Sequence, residues 1–504
     1  MNTKQADETF LENARLGARN EVLLEFDERT QFPRLNRLFH SYTHVDLAHV
    51  VMMVETGVLR ADRGGKLLQA LLDIHAMTPR EFPWLESSNS YLVHVEHYLG
   101  QTVGAEIGGL LQTARSRNDQ DAAAERLFQR DLILKLSEAL LDLLDTVLDQ
   151  AEAHADTLMP GYTHFQHAQP WTFGHYLMRQ ASMLARDLER LSDCYPRANL
   201  SALGGAANAG TSWPIDRRRA AALLGHDGIV VNSCDAGEFA RDHIEEMTAC
   251  MSMLAANLGR FATDLYVWHS FEFGYVEVAD ALAGTSSIMP QKKNPHTLER
   301  VKSIGGQAAG WLATVMACQR PAFSTDLDFT FADDVFGRFS EVTYGSLRLM
   351  TETVGTLGVN KPRMAANSDA YWSTTSHLAD ELVKVHDLTF RAAHHVVSLF
   401  VRRALEAGQT PGTVTADLLV QSAQEACNLE IDMTDQDLRK LLDGRNFIET
   451  RTSEGSVSPA EVTRHATRLR DDLAAMRDGI NARRTQADAA ISTLLETAAR
   501  LSAS

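Results

Sequence analysis

The amino-acid sequence predicts a mainly α-helical protein built around a central bundle of five long helices. Its 504 residues include only 13 prolines, and none lies between Pro83 and Pro160 or between Pro214 and Pro290. Proline lacks an amide hydrogen and clashes with the preceding helical turn, so these stretches permit long helices. Apolar residues recur within them at steps of three and four, whereas the alternation typical of strands is scarce.

The clearest apolar seam predicts one helix of roughly 36 Å, at 1.5 Å per residue. It consists of Ile244, Met247, Met251, Leu254, Leu258, Phe261, Leu265 and Trp268. Four further seams have similar spacing: Ile133, Leu136, Leu140, Leu143 and Val147; Leu177, Ala181, Leu184, Leu188 and Leu191; Leu298, Val301 and Ile304; and Val335, Phe339, Val342 and Leu349. Together they predict the five helices between residues 119 and 357, and packing them in a bundle buries their apolar stripes.

Three domains are predicted, because about 150 residues per domain is usual. They are an N-terminal helical domain (1–115), a central long-helix bundle domain (116–365) and a small C-terminal helical domain (366–504). The N-terminal region shows shorter helical patterns, which are broken at Pro33, Pro79 and Pro83. Several short helices are expected in the C-terminal region. One begins at Ser458 and Pro459, a serine cap followed by a first-turn proline.

Composition and charge argue against several classes of function. The chain has 48 Lys and Arg against 66 Asp and Glu, a formal charge of −18, and no basic tail, so nucleic-acid binding is not expected. Five cysteines without C-x-x-C spacing indicate a reduced, intracellular protein. No secretory signal is visible, and no uncharged apolar run reaches the roughly 18 residues of a membrane span, so we expect no membrane association and a cytoplasmic location.

Polar residues crowd into three segments at the ends of the predicted long helices. The segments are QTARSRNDQD (112–121), MPGYTHFQHAQPWTFGH (159–175) and AGTSSIMPQKKNPHTLER (283–300). In the third, small residues give a flexible loop that bears Ser286 and Ser287 and can direct backbone N–H groups at a ligand. Lys292 and Lys293 supply positive charge suited to a carboxylate, and Glu299 lies two helical turns beyond Lys292. Singly, these residues suit any solvated loop, but together they indicate an anion site.

The sequence TSSIMPQKKNPHTLE resembles the signature loop of the fumarase/aspartase superfamily, and its PQKKNP form is similar to that of argininosuccinate lyases. TARSRNDQ and PGYTHFQHAQPWTFGH resemble two other signature regions of the same family. LGGAANAGTSWPIDR, NSCDA and LADELVKVHDLTFRAAHHVV also resemble family segments. The resemblance extends in order over about residues 85–400, which makes it far more specific than one short motif.

This resemblance implies a three-domain fumarase/aspartase-type fold and a homotetramer with a twenty-helix core. Each active site would be built from three subunits. The implied reaction is a reversible anti-elimination from a succinyl compound, which releases fumarate.

The resemblance also implies a role for each polar residue. Ser286 would be the general base, helped by amide donors and by Lys292, because a serine hydroxyl is a weak base at neutral pH. Lys292 and Asn294 would stabilise the charge that develops on the substrate carboxylate. His164 would pair with Glu299 of another subunit, and would either protonate the leaving amine or bind a carboxylate. The residues implied in substrate binding are Arg117, Asn118, Thr163, Gln166, Ser287, Met289 and Asn294.

The sequence departs from argininosuccinate lyases mainly where the amine should be recognised. His167 stands where arginine is usual, and Tyr91–His94 replaces a run of glutamate, aspartate, isoleucine and histidine. RPAFSTDLDFTFADDVF (Arg320–Phe336) replaces the stretch expected to hold the arginine half of the substrate. Thr285 stands where glycine is usual, with Gly284 before it, which predicts a slightly different loop hinge.

Since the residues for the succinyl half are intact and those for the amine are not, the sequence predicts a carbon–nitrogen lyase for an N-substituted aspartate whose amine is not arginine. Ethylenediamine-disuccinate (EDDS) lyase, which acts on an aminopolycarboxylate, is the best-matching relative with this division. Argininosuccinate lyase is the alternative. A structural protein recruited from this family, like some lens crystallins, is disfavoured because Ser286, Lys292, His164 and Glu299 are all present.

No cofactor or metal is expected. His40 and His44 have the i, i+4 spacing of ligands on a helix, but no carboxylate or cysteine completes a set. The glycine-rich stretch 204–210 is expected to be a loop and lacks both G-x-G-x-x-G and a Walker lysine. The expected partners are fumarate with an amine or diamine, and further copies of the chain in a homotetramer.

Overall fold

The computed structural model of the chain describes residues 20–239, 241–319 and 326–503. In this part of the chain the fold is mainly α-helical, as predicted. The helices are α1 (Glu21–Phe26), α2 (Phe32–Glu55), α3 (Ala61–His75), α4 (Tyr91–Thr102), α5 (Ala105–Gly108), α6 (Arg117–Ala153), α7 (Phe173–Ala198), α8 (Arg217–Leu223), α9 (Asp242–His269), α10 (His296–Gln307), α11 (Trp311–Cys318), α12 (Asp326–Gly355), α13 (Lys361–Asp369), α14 (Thr375–His386), α15 (Phe390–Glu406), α16 (Ala416–Cys427), α17 (Asp435–Leu442), α18 (Gly444–Glu449) and α19 (Pro459–Ser502). Single turns of 3₁₀-helix cover Glu28–Gln31, Asp280–Leu282 and Ala308–Gly310, and a π-turn covers Asp235–Phe239.

The strands of the described residues are two residues long and occur in pairs. They are β1 (Leu158–Met159), β2 (Tyr162–Thr163), β3 (Gln166–His167), β4 (Trp171–Thr172), β5 (Leu200–Ser201), β6 (Gly228–Ile229), β7 (Val276–Glu277), β8 (Gly284–Thr285), β9 (Lys293–Asn294) and β10 (Gly358–Val359). The pairs β1–β4, β2–β3, β7–β10 and β8–β9 are antiparallel, and β5–β6 is parallel. These pairs brace loops at the ends of long helices and do not form a larger sheet.

The predicted bundle consists of α6, α7, α9, the α10–α11 pair and α12. All residues of the first four predicted seams are buried. The fourth helix differs from the expectation because a 3₁₀ turn at Ala308–Gly310 divides it in two. In α12 the predicted stripe is half-buried at Val335 and Phe339, whereas Phe336 and Leu347 are fully buried. The predicted stripe of Val335, Phe339, Val342 and Leu349 packs against the bundle core, but it is only partly buried, beside the fully buried residues of the same helix.

The N-terminal and C-terminal regions contain longer helices than the sequence suggested. Pro33 does not break a helix but lies in the first turn of α2, which runs for 24 residues, because proline is tolerated before helical hydrogen bonding begins. Ser458 caps α19 as predicted, with its side chain accepting from the Glu461 amide, but this helix continues for 44 residues. The C-terminal region therefore combines short helices with one very long helix.

Helix α19 crosses two of the hydrophobic clusters of the molecule. Leu473 and Ile480 belong to the cluster of the bundle, and Leu494 belongs to the cluster formed by α2, α3 and the start of α6. Residues 372–442 contribute a separate cluster formed by α14–α17. The domain boundaries after 115 and 365 remain predictions. Among the described residues, no helix is both long and apolar enough to span a membrane.

A cluster of histidines in the N-terminal region predicts loss of stability in acid. The His44 ring lies 4.8 Å from the His75 ring, and burial together with His75 and His40 lowers the pKa of His44 to about 3. Its folded pKa is below the unfolded value near 6.5. The contribution of His44 to the free energy of unfolding is therefore fully present above pH 6.5 and is lost as the pH drops towards 3. Each unit in that window costs up to about 1.4 kcal/mol from this group. In urea titrations at pH 7 and pH 5, His44→Asn should show a smaller loss than the unsubstituted protein, and an equal loss would contradict this.

The topology of the bundle defines two opposite ends. At 1.5 Å per residue, the 37-residue α6 is roughly 55 Å long. At its first turns it lies near the end of α7, where Arg126 donates to the Arg197 carbonyl, and near the start of α9, where Gln129 donates to the His243 carbonyl. At its other end, the His154 carbonyl accepts from the Gly174 amide at the start of α7. We call these the α6-start end and the α6-finish end.

Candidate active site

Arg117 and Asn118 are the first two residues of α6. Ser116 and Asp119 form a capping box at this N-terminus. The second carboxylate oxygen of Asp119 accepts from the amides of Gly204 and Ala206, at 2.8 and 3.1 Å. Burial raises the pKa of Asp119 to about 6, although these backbone donors oppose the shift. One buried carboxylate therefore holds the glycine-rich loop against the turn that carries Arg117 and Asn118.

Thr163, His164 and Gln166 lie on a two-residue hairpin at the α6-finish end. Thr163 pairs with Gln166, and the central residues His164 and Phe165 both have positive φ, at 53° and 61°. This is the left-handed backbone of a type I′ turn, in which asparagine or glycine is usual. For histidine and phenylalanine it costs about 1–3 kcal/mol each, and such strain is concentrated at functional sites. All four residues at this tip are exposed in the isolated chain.

Ser286 lies in a loop whose ends are joined by the β8–β9 pair, Gly284 with Asn294 and Thr285 with Lys293. Its hydroxyl oxygen accepts two backbone N–H groups, from Ile288 at 3.3 Å and Met289 at 3.0 Å. Donors directed at an oxygen favour its deprotonated form. Two amide donors therefore reach the Ser286 oxygen, and its role as a base stays a prediction.

The two lysines of the loop have different surroundings. Lys292 is exposed and donates to the side-chain oxygen of Asn294, so two predicted site residues lie side by side. Lys293 instead binds Asp280 at 2.6 Å and Glu277 at 2.8 Å, and these carboxylates raise the pKa of its ammonium group. The expectation that both lysines supply charge to a ligand is therefore wrong for Lys293, which holds the base of the loop.

Ser287 and Met289 are also exposed on this loop, which leaves both available to a ligand or to another copy. The neighbouring Ile288 is 81% exposed, an unusual position for a large apolar side chain. The sequence identified Ser286 and its neighbours by motif, but it gave no indication of Glu277 and Asp280, because no local pattern links them to Lys293.

Gly284 at the hinge lies against the exposed ring of His296. A Cβ at position 284 would lie 2.1–2.6 Å from the atoms of the His296 ring. We expect Gly284→Ala to displace the loop and lower kcat about 10-fold or more, as small misplacements of reacting groups do. Removing the ring as well, in Gly284→Ala with His296→Ala, should restore part of the lost rate, measured by fumarate absorbance.

The matched control is Gly479→Ala, in the exposed interior of α19, where a Cβ meets nothing within 4 Å. It should leave kcat unchanged and preserve or raise stability, because alanine favours a helix over glycine by about 1 kcal/mol. Equal activity of Gly284→Ala and Gly479→Ala would contradict the hinge argument.

Glu299 is exposed in the first turn of α10 and lines a groove of about 820 Å³. The groove runs along α10, the following turn, α11 and α12, and includes His296, Arg300, Trp311 and Arg338. In the isolated chain this groove is open to solvent, so part of a second chain can enter it.

The predicted site residues do not converge within one chain. Arg117 and Asn118 lie at the α6-start end, whereas the hairpin with His164 follows the α6-finish end, roughly 55 Å away. The Ser286 loop is also at the α6-finish end. Thr297 at the start of α10 accepts from Thr353 near the end of α12, and a Cβ at Gly355 of α12 would lie 3.3 Å from Thr146 in the later turns of α6.

The substitutions in the N-terminal region fill the core. Tyr91 is fully buried and stacks on Tyr42, with ring centres 4.2 Å apart. His94 accepts from the Leu85 amide, and burial lowers its pKa to about 4. His167 is half-buried, with its ring 5.3 Å from that of Tyr162 at the hairpin base.

The segment predicted to select the amine lies only partly within the described residues, since 320–325 fall outside them. In the described part, Asp333 is buried and binds Arg34 at 3.0 Å and Arg37 at 2.8 Å. Arg34 also binds Glu125 of α6 at 2.7 Å. Asp333 therefore attaches α12 to α2 and is not directed at a ligand. Elsewhere in the described ranges, no group of three His, Cys, Asp or Glu residues is placed to hold a metal ion.

The chain matches known lyases over most of its length. Residues 65–310 match a family model described as lyase, and residues 372–449 match the argininosuccinate lyase C-terminal model. Argininosuccinate lyase of Methanococcoides burtonii is 35% identical over 87% of this chain and 88% of its own length. That of Methanothrix thermoacetophila is 36% identical over 90% of this chain and 91% of its own length.

Among solved structures, EDDS lyase in complex with formate superposes with a TM-score of 0.84 and 30% identity, over 96% of each chain. Fumarate lyase from Mesorhizobium sp. BNC1 has the same fold, with a TM-score of 0.70 and 20% identity over 87% of this chain and 97% of its own. The fumarase/aspartase-type fold expected from the sequence is thereby confirmed. The chain belongs to the argininosuccinate lyase family of the fumarase/aspartase superfamily and is a fumarate-releasing carbon–nitrogen lyase.

Proposed function

We propose that the protein cleaves the carbon–nitrogen bond of an N-substituted aspartate, with Ser286 as the general base. The observation that carries this proposal is the Ser286 hydroxyl oxygen, which accepts two backbone N–H groups in a loop shared with Lys292 and Asn294. The Ser286 oxygen removes a proton from the carbon next to a substrate carboxylate. The electron pair of that C–H bond forms the carbon–carbon double bond of fumarate, and the C–N bond breaks with its pair on nitrogen.

The charge of this step accumulates on the substrate carboxylate before the amine departs. The exposed ammonium group of Lys292, which donates to the Asn294 amide oxygen, is suited to stabilising it. The departing amine takes up a proton, for which His164 is the candidate donor. Binding of a carboxylate by His164 is the other role we leave to experiment.

The active site is proposed to combine several copies of the chain in a homotetramer. The length of α6 separates Arg117 from His164 by roughly 55 Å, so one chain cannot bring both to one substrate. The exposed hairpin of one copy is proposed to reach the groove beside Glu299 of another, where a carboxylate can orient the His164 ring. Arg117 and Asn118 of a further copy, with Thr163, Gln166, Ser287 and Met289, are proposed to bind the substrate carboxylates.

For the amine we propose an aminopolycarboxylate such as ethylenediamine-N,N′-disuccinate. EDDS lyase superposes over nearly the whole chain at 30% identity. Of the departures from argininosuccinate lyases, His167 lies on the hairpin that carries His164, whereas Tyr91, His94 and Asp333 are buried. Argininosuccinate is the second candidate, supported by the identity to the two methanogen enzymes.

The experiment follows fumarate release by its ultraviolet absorbance, with argininosuccinate, ethylenediamine-N,N′-disuccinate and aspartate offered separately. Efficient release from the diamine compound alone is the expected result. Efficient release from argininosuccinate alone would assign that substrate instead. The replaced stretch Arg320–Phe336 would then have no effect on specificity. Sedimentation of the purified protein measures the mass of the assembly, for which four chains are expected.

A further inference from the structure

The hairpin that carries His164 is attached to the rest of the chain by a row of hydrogen-bonded side chains. The Tyr162 hydroxyl, one residue before Thr163, lies 2.6 Å from the hydroxyl of Tyr275. The side-chain amide of Asn367 on α13 donates to the same Tyr275 oxygen at 2.9 Å. We call Tyr162, Tyr275 and Asn367 the tyrosine relay, because one fully buried hydroxyl joins the hairpin to α13.

Tyr275 is itself held rigidly by its backbone. Its amide donates to the Trp268 carbonyl at the end of α9, and its carbonyl accepts from the Asn360 amide before α13, at 2.9 and 2.8 Å. Its side chain is completely buried. The relay therefore connects the hairpin to two helices whose positions are fixed by the bundle.

Aromatic contacts restrict the hairpin on its other sides. The Phe273 ring lies 5.8 Å from Tyr162 and 6.2 Å from Phe165, both in edge-to-face geometry. The His167 ring contacts Tyr162 and, at 6.3 Å, Tyr371. These edge-to-face contacts and the hydrogen bonds of the relay therefore hold the hairpin from different sides.

A two-residue hairpin with left-handed histidine and phenylalanine does not keep this backbone unaided, because isolated hairpins are marginal and these residues disfavour the conformation. The surroundings must therefore impose it. We propose that Tyr162 and Tyr275 are positioning residues for His164. They hold its strained turn in the position from which His164 meets the substrate bound by another copy. This rests on the role of His164 proposed above.

The test compares Tyr162→Phe, Tyr275→Phe and the double variant with Tyr176→Phe. Tyr176 is the matched control, since it is a buried tyrosine whose hydroxyl donates to Asp264 at 3.0 Å within the bundle. Each relay variant should lower kcat about 10- to 100-fold with little change in KM, because a displacement of about 1 Å suffices. The double variant should be no worse than either single one, since both break the same connection.

A second measurement does not depend on the substrate. Hydrogen exchange of peptides covering residues 160–170, followed by mass spectrometry, should be faster in both relay variants and unchanged in Tyr176→Phe. Asn367→Leu, further from the hairpin, should show the same change at smaller size and serves if a tyrosine variant does not fold. Unchanged exchange in the hairpin of all three relay variants would overturn the proposal.

The outcomes separate this inference from the proposed function. Loss of turnover in Ser286→Ala together with full turnover in the relay variants would leave the lyase chemistry intact and sink the relay. Full turnover in His164→Asn would also sink it, since there would be no catalytic group to position. The proposal is supported if Tyr162→Phe and Tyr275→Phe both show faster exchange of the hairpin and a lower kcat, while Tyr176→Phe shows neither change.

Discussion

Ser286→Ala should lower kcat by about 10²–10⁴-fold, the usual contribution of a general base, while the fold is retained. The reason is the position of its hydroxyl, which accepts the amides of Ile288 and Met289 at the tip of a loop closed by β8 and β9. Alanine removes the oxygen proposed to take the substrate proton and leaves the β8–β9 pair in place. Turnover is measured by fumarate absorbance, and retention of the fold by the thermal midpoint and the mass of the assembly.

The neighbouring serine gives the matched comparison. Ser287 is exposed, one residue further along the same loop, and is expected to bind substrate rather than move its proton. Ser287→Ala should therefore act mainly on KM, whereas Ser286→Ala acts on kcat. Equal effects of both variants on kcat would mean that Ser286 has no role in the chemical step that Ser287 lacks, and another residue would have to be the base.

Asp46→Ala should lower the free energy of unfolding by about 3–5 kcal/mol, the usual cost of leaving a buried charge without its partner. Asp46 and Arg115 are both completely buried, with an N–O distance of 2.6 Å. Gln120 donates to the same carboxylate oxygen at 2.7 Å. Burial raises the pKa of Asp46 against the opposing effect of Arg115, so the pair depends on being kept together. Chemical denaturation at neutral pH measures the loss.

Two further variants test whether the loss comes from the unpaired charge. Asp62→Asn removes an exposed partner of Arg60, and should change stability by less than about 0.5 kcal/mol. Asp46→Leu combined with Arg115→Met replaces the whole pair with apolar groups and should recover most of the stability lost in Asp46→Ala. If the combined variant is as unstable as Asp46→Ala, the cost arises from lost packing and not from charge.

Much of the bundle could be predicted because the sequence of each long helix contains its own pattern of apolar residues. Every residue of the seam from Ile244 to Trp268 is buried, since steps of three and four follow one face of a helix wherever that helix is placed. The stripe on α12 also packs against the core, but it is only partly buried, because spacing alone does not tell how deeply each apolar face of a helix is buried.

The length of helix α19 was not predicted, because its buried face is weakly apolar. The buried residues Ala466, Leu473, Ile480, Ala487 and Leu494 recur every seven positions, but two of them are alanine, and polar residues dominate the rest of the helix. Its burial is decided by α3, α6 and α7, which lie hundreds of positions earlier in the sequence. Local pattern therefore indicated where it starts, at Ser458, but not how far it continues.

The site was predictable to the extent that short motifs carry chemistry. Ser286, Lys292 and Asn294 belong to one short segment, and the structure keeps them in one loop closed by the β8–β9 pair, with Lys292 bonded to Asn294. The residues that hold the motif were not predictable, because Tyr162 meets Tyr275 across 113 positions and only the fold brings them together. The separation of roughly 55 Å between Arg117 and His164 likewise could not be predicted until the length of α6 was known.

The path of α19 has a consequence for synthesis of the protein. This helix is translated after every element that it covers, yet its residues Leu494 and Ala498 complete the N-terminal cluster. As the nascent chain leaves the ribosome, α2 and α3 must therefore wait, with part of their apolar surface uncovered, until some 400 further residues have emerged. Chaperone binding during translation should be concentrated on this uncovered surface and should end when the final helix docks.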